Sequence, residues 1–138
     1  MNAIRTTPPA PGEQPTWSEH WNEVHYEWQL AAREVCQLND RVQTVAGTYL
    51  GWRAGELQPG ETPWWHTELD WSQFARDLKK RGAGLSSGEK ALARVAIGLA
   101  QGRGEFEYEA LRAAGYLNEV LMIVQRCAED IDEGGTRA

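Results

Sequence analysis

Nowhere in the sequence do apolar residues run on for the roughly 18 positions that a bilayer-spanning helix needs. The opening stretch, MNAIRTTPPAPGEQP, also lacks an apolar core of signal-peptide length. Both absences point to the cytoplasm and away from a membrane partner. Cysteine is scarce: Cys36 and Cys127 stand far apart, the usage of free thiols in a reducing compartment, which excludes a disulfide framework. Positive charge is in deficit, with 14 Lys and Arg against 20 Asp and Glu and a net charge of −6. The chain as a whole therefore repels phosphates and anionic lipid. There is no G-x-x-x-x-G-K-[ST] phosphate loop, no H-E-x-x-H and no paired E-x-x-H. No catalytic residue, cofactor or metal ligand is assigned, and the chain reads as non-enzymatic.

What the sequence does hold is tryptophan. All seven (Trp17, Trp21, Trp28, Trp52, Trp64, Trp65 and Trp71) lie in the first half of the chain, and their large, rigid, mostly apolar rings suit cores and interface anchors equally. Residues 1–15 carry four prolines and little to bury, so they read as a disordered arm. A Thr16/Glu19 capping-box spacing then opens a helix. From Trp17 through Trp21, Val24, Trp28, Ala31, Val35, Leu38, Val42, Val45 and Tyr49 to Trp52, apolar residues alternate steps of four and three. That heptad repeat keeps one stripe facing a neighbouring helix. It predicts one long helix from 17 to Ala46 or, if the glycines at 47, 51 and 55 form a smooth ridge, to Ala54.

Residues 56–69, with Pro59-Gly60 and Thr62-Pro63, read as a loop. Asp70 and Gln73 cap a short helix over 71–81 whose inward face is Trp71, Phe74, Ala75 and Leu78, ended by Gly82. Ser86 and Glu89 open a second over 87–101, with Leu92, Val95, Ala96 and Leu99 inward and Gly98 suiting close packing. A second heptad line, Phe106, Ala110, Ala113, Leu117, Val120, Val124, Cys127 and Ile131, predicts a helix over 105–132, stopped by Gly134-Gly135. No stretch shows the two-residue alternation of a strand. The expected fold is all-α: a compact four-helix, bundle-like domain over 16–133, with two long helices and two short ones and a disordered tail at 134–138. If the long helices are antiparallel, Cys36 and Cys127 lie too far apart to pair.

Residues 85–101, LSSGEKALARVAIGLAQ, resemble the signature segment of ABC-type ATPases, through Leu85, Ser86, Gly88 and Glu89, with Ser87 in place of a glycine. The resemblance implies a helix start facing a nucleotide phosphate. Without a phosphate loop, a capped helix accounts for the same residues. His20, His25 and His66 have no metal-site spacing, and the row Glu19, Glu23, Glu27 is a solvated helix face before it is a magnesium site.

Trp64, Trp65 and His66 sit together in a proline-flanked loop, where two adjacent rings cannot both point inward. Tyr26, Leu30 and Cys36 lie off the first seam, so Cys36 is expected to be accessible. These residues, with Trp64 and Trp65 foremost, are the candidate protein-contact surface. The favoured function is a protein–protein interaction module: a small subunit, adaptor or inhibitor, of the kind found among phage or mobile-element accessory and anti-defence proteins, with a homodimer admitted. The alternative is a DNA-binding regulator using Lys79, Lys80, Arg81, Lys90 and Arg94 in a helix-turn-helix-like 71–102 segment, although the same basic residues complement the acidic C-terminal helix. A metal-dependent all-α nucleotide hydrolase built on the helix 1 carboxylates ranks third.

Overall fold

The computed structural model describes residues 5–13, 23–54, 65–102 and 106–137. Its order is α1 (Glu23–Cys36), α2 (Asp40–Gly47), β1 (Leu50–Ala54), β2 (Trp65–Leu69), α3 (Trp71–Arg81), a 3₁₀ turn (Gly82–Gly84), α4 (Ser87–Gln101), α5 (Tyr108–Ala114) and α6 (Leu117–Arg137). The domain is all-α and bundle-like, with one two-stranded antiparallel sheet at its side.

The helix at the centre is α4. Six of its residues are alanine or glycine, interspersed with Leu92, Val95 and Ile97, and Ala91, Leu92, Ala93, Val95, Ala96, Ile97 and Ala100 are all buried. Small side chains let neighbours approach on several sides, and α1, α2, α3 and α5 all pack on it. Its ends are closed as the sequence predicts. Ser86 and Glu89 exchange hydrogen bonds as a capping box, and Gly102 takes a left-handed conformation with φ +67°. The close approach comes at Gly88, where a Cβ would lie 2.7 Å from that of Ala114 on α5. α3 also follows its expected bounds, with Asp70 accepting from the Gln73 amide, Gly82 ending it, and Trp71, Phe74 and Leu78 buried.

The two long helices are corrected. The first breaks after Cys36: Asn39 turns extended (φ −139°, ψ 127°) and its side chain accepts from the Val42 amide, starting α2 afresh. The backbone bends there, yet Ala31, Val35 and Val42 all remain in the core. A spacing that survives a joint cannot reveal it. α2 stops at Gly47, and 50–54 pairs as a strand with 65–69, in the register Gly51↔Glu68 and Trp52↔Thr67. The extension of the long helix to Ala54, and the loop expected over 65–69, give way to this sheet, whereas the alternative end at Ala46 lies within one residue of the end of α2. Glycine disfavours helix by about 1 kcal/mol per residue, and pairing satisfies the backbone groups instead. The Thr16/Glu19 box, Trp17 and Trp21 lie outside the described residues.

At the other end, Gly115 (φ +83°) closes α5, and Tyr116 leads into α6. That reset moves the second seam. Leu111, Leu117, Val120, Ile123 and Cys127 are buried, whereas Phe106 is 45% exposed and Ala113 also faces out. α6 continues through Gly134-Gly135 to Arg137. α1 and α6 run antiparallel: Asn39 Nδ2 donates to Tyr116 Oη at 2.7 Å, and Cys127 Sγ lies 3.5 Å from the Glu27 carbonyl. Arg126 reaches Glu34 between these at 3.3 Å. Both thiols are free. No described helix is long and apolar enough to cross a membrane.

Candidate functional site

Trp65 has the most developed surroundings of the tryptophan-loop candidates. Position 65 begins β2 opposite Ala54, which leaves its half-buried ring beside residues 5–13. Those residues, expected as a disordered arm, lie against the sheet. Arg5 and Trp52 exchange backbone hydrogen bonds of 2.8 Å in both directions. The Arg5 guanidinium stands 4.9 Å from the Trp65 ring centroid, a cation–π contact, and forms an ion pair with Glu13. Trp65 Nε1 donates to the Glu13 carbonyl at 3.3 Å. The hydrogen bond from Arg5, seconded by the Ala10 amide, holds the Glu13 carboxyl below the usual carboxylate range.

Trp64 is outside the described residues, as are the side chains of His66 and Tyr26; His66 pairs with Arg53 through the strand register and Tyr26 lies in α1. Leu30 is 37% exposed on α1. Cys36 is not accessible but 2% exposed, and burial pushes its thiol up to about 12. Burial, with help from Glu27, likewise raises Cys127 to about 11. Neither is a thiolate nucleophile at neutral pH.

The basic residues separate into three situations. Lys79, Lys80 and Arg81 are exposed in the last turn of α3, where cations also oppose the negative end of the helix dipole. Lys90 is half-buried, its Cε and Nζ lying where a Cβ on Gly82 would come within 2.7 and 2.9 Å. Arg94 Nη1 bonds both Glu107 carboxylate oxygens, at 3.1 and 3.0 Å. The expected pairing with the acidic C-terminal segment is realised there. A groove-reading helix would present its first turns, and α4 presents only Ser87 to Lys90 and Arg94 there, its residues from Ala91 on being otherwise mostly buried.

Among the described residues no three His, Cys, Asp or Glu converge to hold a metal ion; Glu19, His20 and the side chains of Glu23 and His25 lie outside them. Gly84-Leu85-Ser86-Ser87-Gly88 has the spacing of a G-x-S-x-G nucleophile turn. That motif works at a strand-to-helix turn; here a 3₁₀ turn leads into α4, and Ser86 Oγ is engaged by the Glu89 amide at 3.3 Å. The segment resembling an ATPase signature is thus a capped core helix. Tyr49, stacked 5.0 Å from Phe74, donates to Asp77 at 2.7 Å, and Gln73 donates to the same carboxylate at 2.9 Å. Desolvation and the Asp77 bond push the Tyr49 phenol up to about 12. Tyr49 and then Gln73 hold Asp77 below its ordinary value. This chain of bonds fastens the foot of β1 to α3.

Sequence reasoning missed the most exposed large apolar side chains among the described residues: Met122 at 68%, Tyr108 at 52% and Leu121 at 47%. With Val120 pointing to the core, Leu121 and Met122 fall about 100° and about 200° around α6, so Met122 projects directly outward. The signal was available once Gly115 was taken as a helix end. No protein-family model matches the chain, and no curated protein or solved structure matches it.

Proposed function

We propose that the chain is a non-enzymatic protein–protein interaction module of the reducing cytoplasm, and that the outward side of α5 and α6 is its main contact surface. The observation that carries this reading is the exposure of Met122, Tyr108, Leu121 and Phe106, which exceeds that of any other large apolar side chain among the described residues, with Phe106 just before α5, Tyr108 at its start, and Leu121 and Met122 on α6. A methionine standing out from a helix is a flexible, polarizable anchor suited to a partner's apolar pocket. Leu30 adds a smaller apolar point on α1. Exchanging Leu121→Ser and Met122→Lys together is expected to leave thermal unfolding unchanged and to reduce recovery of crosslinked partners from the native host at least about tenfold. Recovery equal to wild type would overturn the assignment of this face.

The DNA-binding reading rests on Lys79, Lys80 and Arg81 at the exposed end of α3. It requires duplex binding that falls steeply with salt and with alanine at those three positions; binding absent at low ionic strength would end it.

A further inference from the structure

Among the described residues, the outer edge of β1 is only partly closed. Tyr49 accepts from the Asp70 amide, so residues 49, 51 and 53 direct their backbone groups at β2, and by the two-residue alternation Leu50 and Trp52 direct theirs away. Arg5 meets Trp52 on that side with two hydrogen bonds. Continuing the antiparallel register would bring Thr7 opposite Leu50. Instead the chain bends at Thr6 and Thr7 and enters Pro8-Pro9, which cannot donate to a ladder. Among the described residues no backbone group meets Leu50 on this edge, and Leu50 is 37% exposed. An edge strand with free donors and acceptors is a template for a further strand.

We propose that this edge is a peptide-docking site which the chain's own residues 5–13 cover provisionally, and that its occupant is an extended strand of another protein carrying an arginine opposite Trp52 and no proline in the next three positions. Such a strand would keep the contacts Arg5 makes to Trp52 and to the Trp65 face and add the pairing at Leu50 that the resident segment forgoes. A basic strand also suits a chain of net charge −6. Among the described residues the resident segment is held to the sheet by one pair of backbone bonds, by the Trp65 Nε1 bond to the Glu13 carbonyl and by the contact of the one-third-exposed Arg5 side chain with the Trp65 ring, a hold that a better-paired strand can displace. The α6 face takes no part in it, so either assignment can fail without the other.

The test uses the full chain and two fluorescein-labelled peptides, residues 1–13 as they stand and the same peptide with Pro8→Thr and Pro9→Val. Arg5→Pro removes the amide and guanidinium that anchor the cover, and should raise affinity for both peptides at least about tenfold over wild type by removing a tethered competitor. The proline-free peptide should bind the more tightly. Trp65→Ala added to Arg5→Pro should reverse the gain. Independently of any variant, amide exchange on the wild-type chain should show Trp52 protected and Leu50 fast, with saturating proline-free peptide slowing Leu50. The proposal is overturned by equal affinities for wild type and Arg5→Pro, by equal binding of a scrambled peptide, by no saturable binding, or by a Leu50 amide that stays fast in the complex.

Discussion

α4 and the α1–α2 pair face each other across the core, and each carries a continuous apolar stripe. They differ in where their caps sit. α4 has its capping box at one end and its left-handed glycine at the other, with nothing between them that offers the backbone an alternative partner. The α1–α2 stripe has a capping residue in its middle, Asn39, whose side chain takes over the Val42 amide. Apolar spacing decides which side of the chain faces inward; polar caps decide whether the backbone crosses in one piece.

The largest expected effect comes from the unjointed side. Leu92→Ala, at a fully buried position, should destabilise the domain by about 3 kcal/mol, whereas Leu38→Ala, half-buried beside the joint, should cost about 1 kcal/mol. Urea unfolding of both variants measures the contrast. Equal losses would mean that Leu38 packs as it would in an unbroken helix.

The next tests how closely α4 is packed. On helix propensity alone, Gly88→Ala would gain about 1 kcal/mol. Because the new methyl would meet that of Ala114 at 2.7 Å, it should instead destabilise by about 1 to 2 kcal/mol. Ala114→Gly should restore most of the loss in the double variant, a coupling that a double-mutant cycle reads directly.

Asn39→Ala bears on the joint itself. In an uninterrupted helix the change would be neutral or slightly stabilising, since Ala is the best helix former. With Asn39 capping α2 and bonded to Tyr116, it should cost about 1 to 2 kcal/mol. A gain in melting temperature would restore the continuous helix.

The same contrast explains what could be read in advance. Asp70, Gly82, Ser86, Glu89 and Gly102 are local signals, and α3 and α4 matched them to the residue. Asn39 and Gly115 are local signals too, but both lay inside attractive heptad frames and were passed over. Phe106 and Ala113 were placed inward, and Met122 went unnoticed, for that one reason. The sheet had no such signal: β1 and β2 become strands by pairing with each other, and each is too short to declare itself alone. Trp65 was identified from its setting between prolines and polar residues. Its partners Arg5 and Glu13 were not, because a contact between residue 65 and residue 5 leaves no mark in the spacing of either segment.

The smallest effect tests whether Cys36, on the inner side of α1, is as enclosed as the residues of α4. Burial raises its thiol from 9.0 to about 12, so the native state keeps a proton that the unfolded chain gives up as pH passes 9. The sign follows from linkage: stability is at its full value below pH 9 and falls as pH rises toward 12. At pH 9 the unfolded thiol is half ionised and the folded one is not, so the difference is only about 0.4 kcal/mol. Cys127, raised for the same reason, and Tyr49, which begins to contribute near pH 10, act in the same direction. The loss of stability between pH 7 and pH 9 is therefore compared between wild type and Cys36→Ala, so that the other groups cancel. The variant should be less stable at pH 7 for lack of packing but should lose about 0.4 kcal/mol less on going to pH 9. Identical losses would place Cys36 in contact with water and α1 rotated outward, giving the jointed helix a looser hold on the core than α4 has.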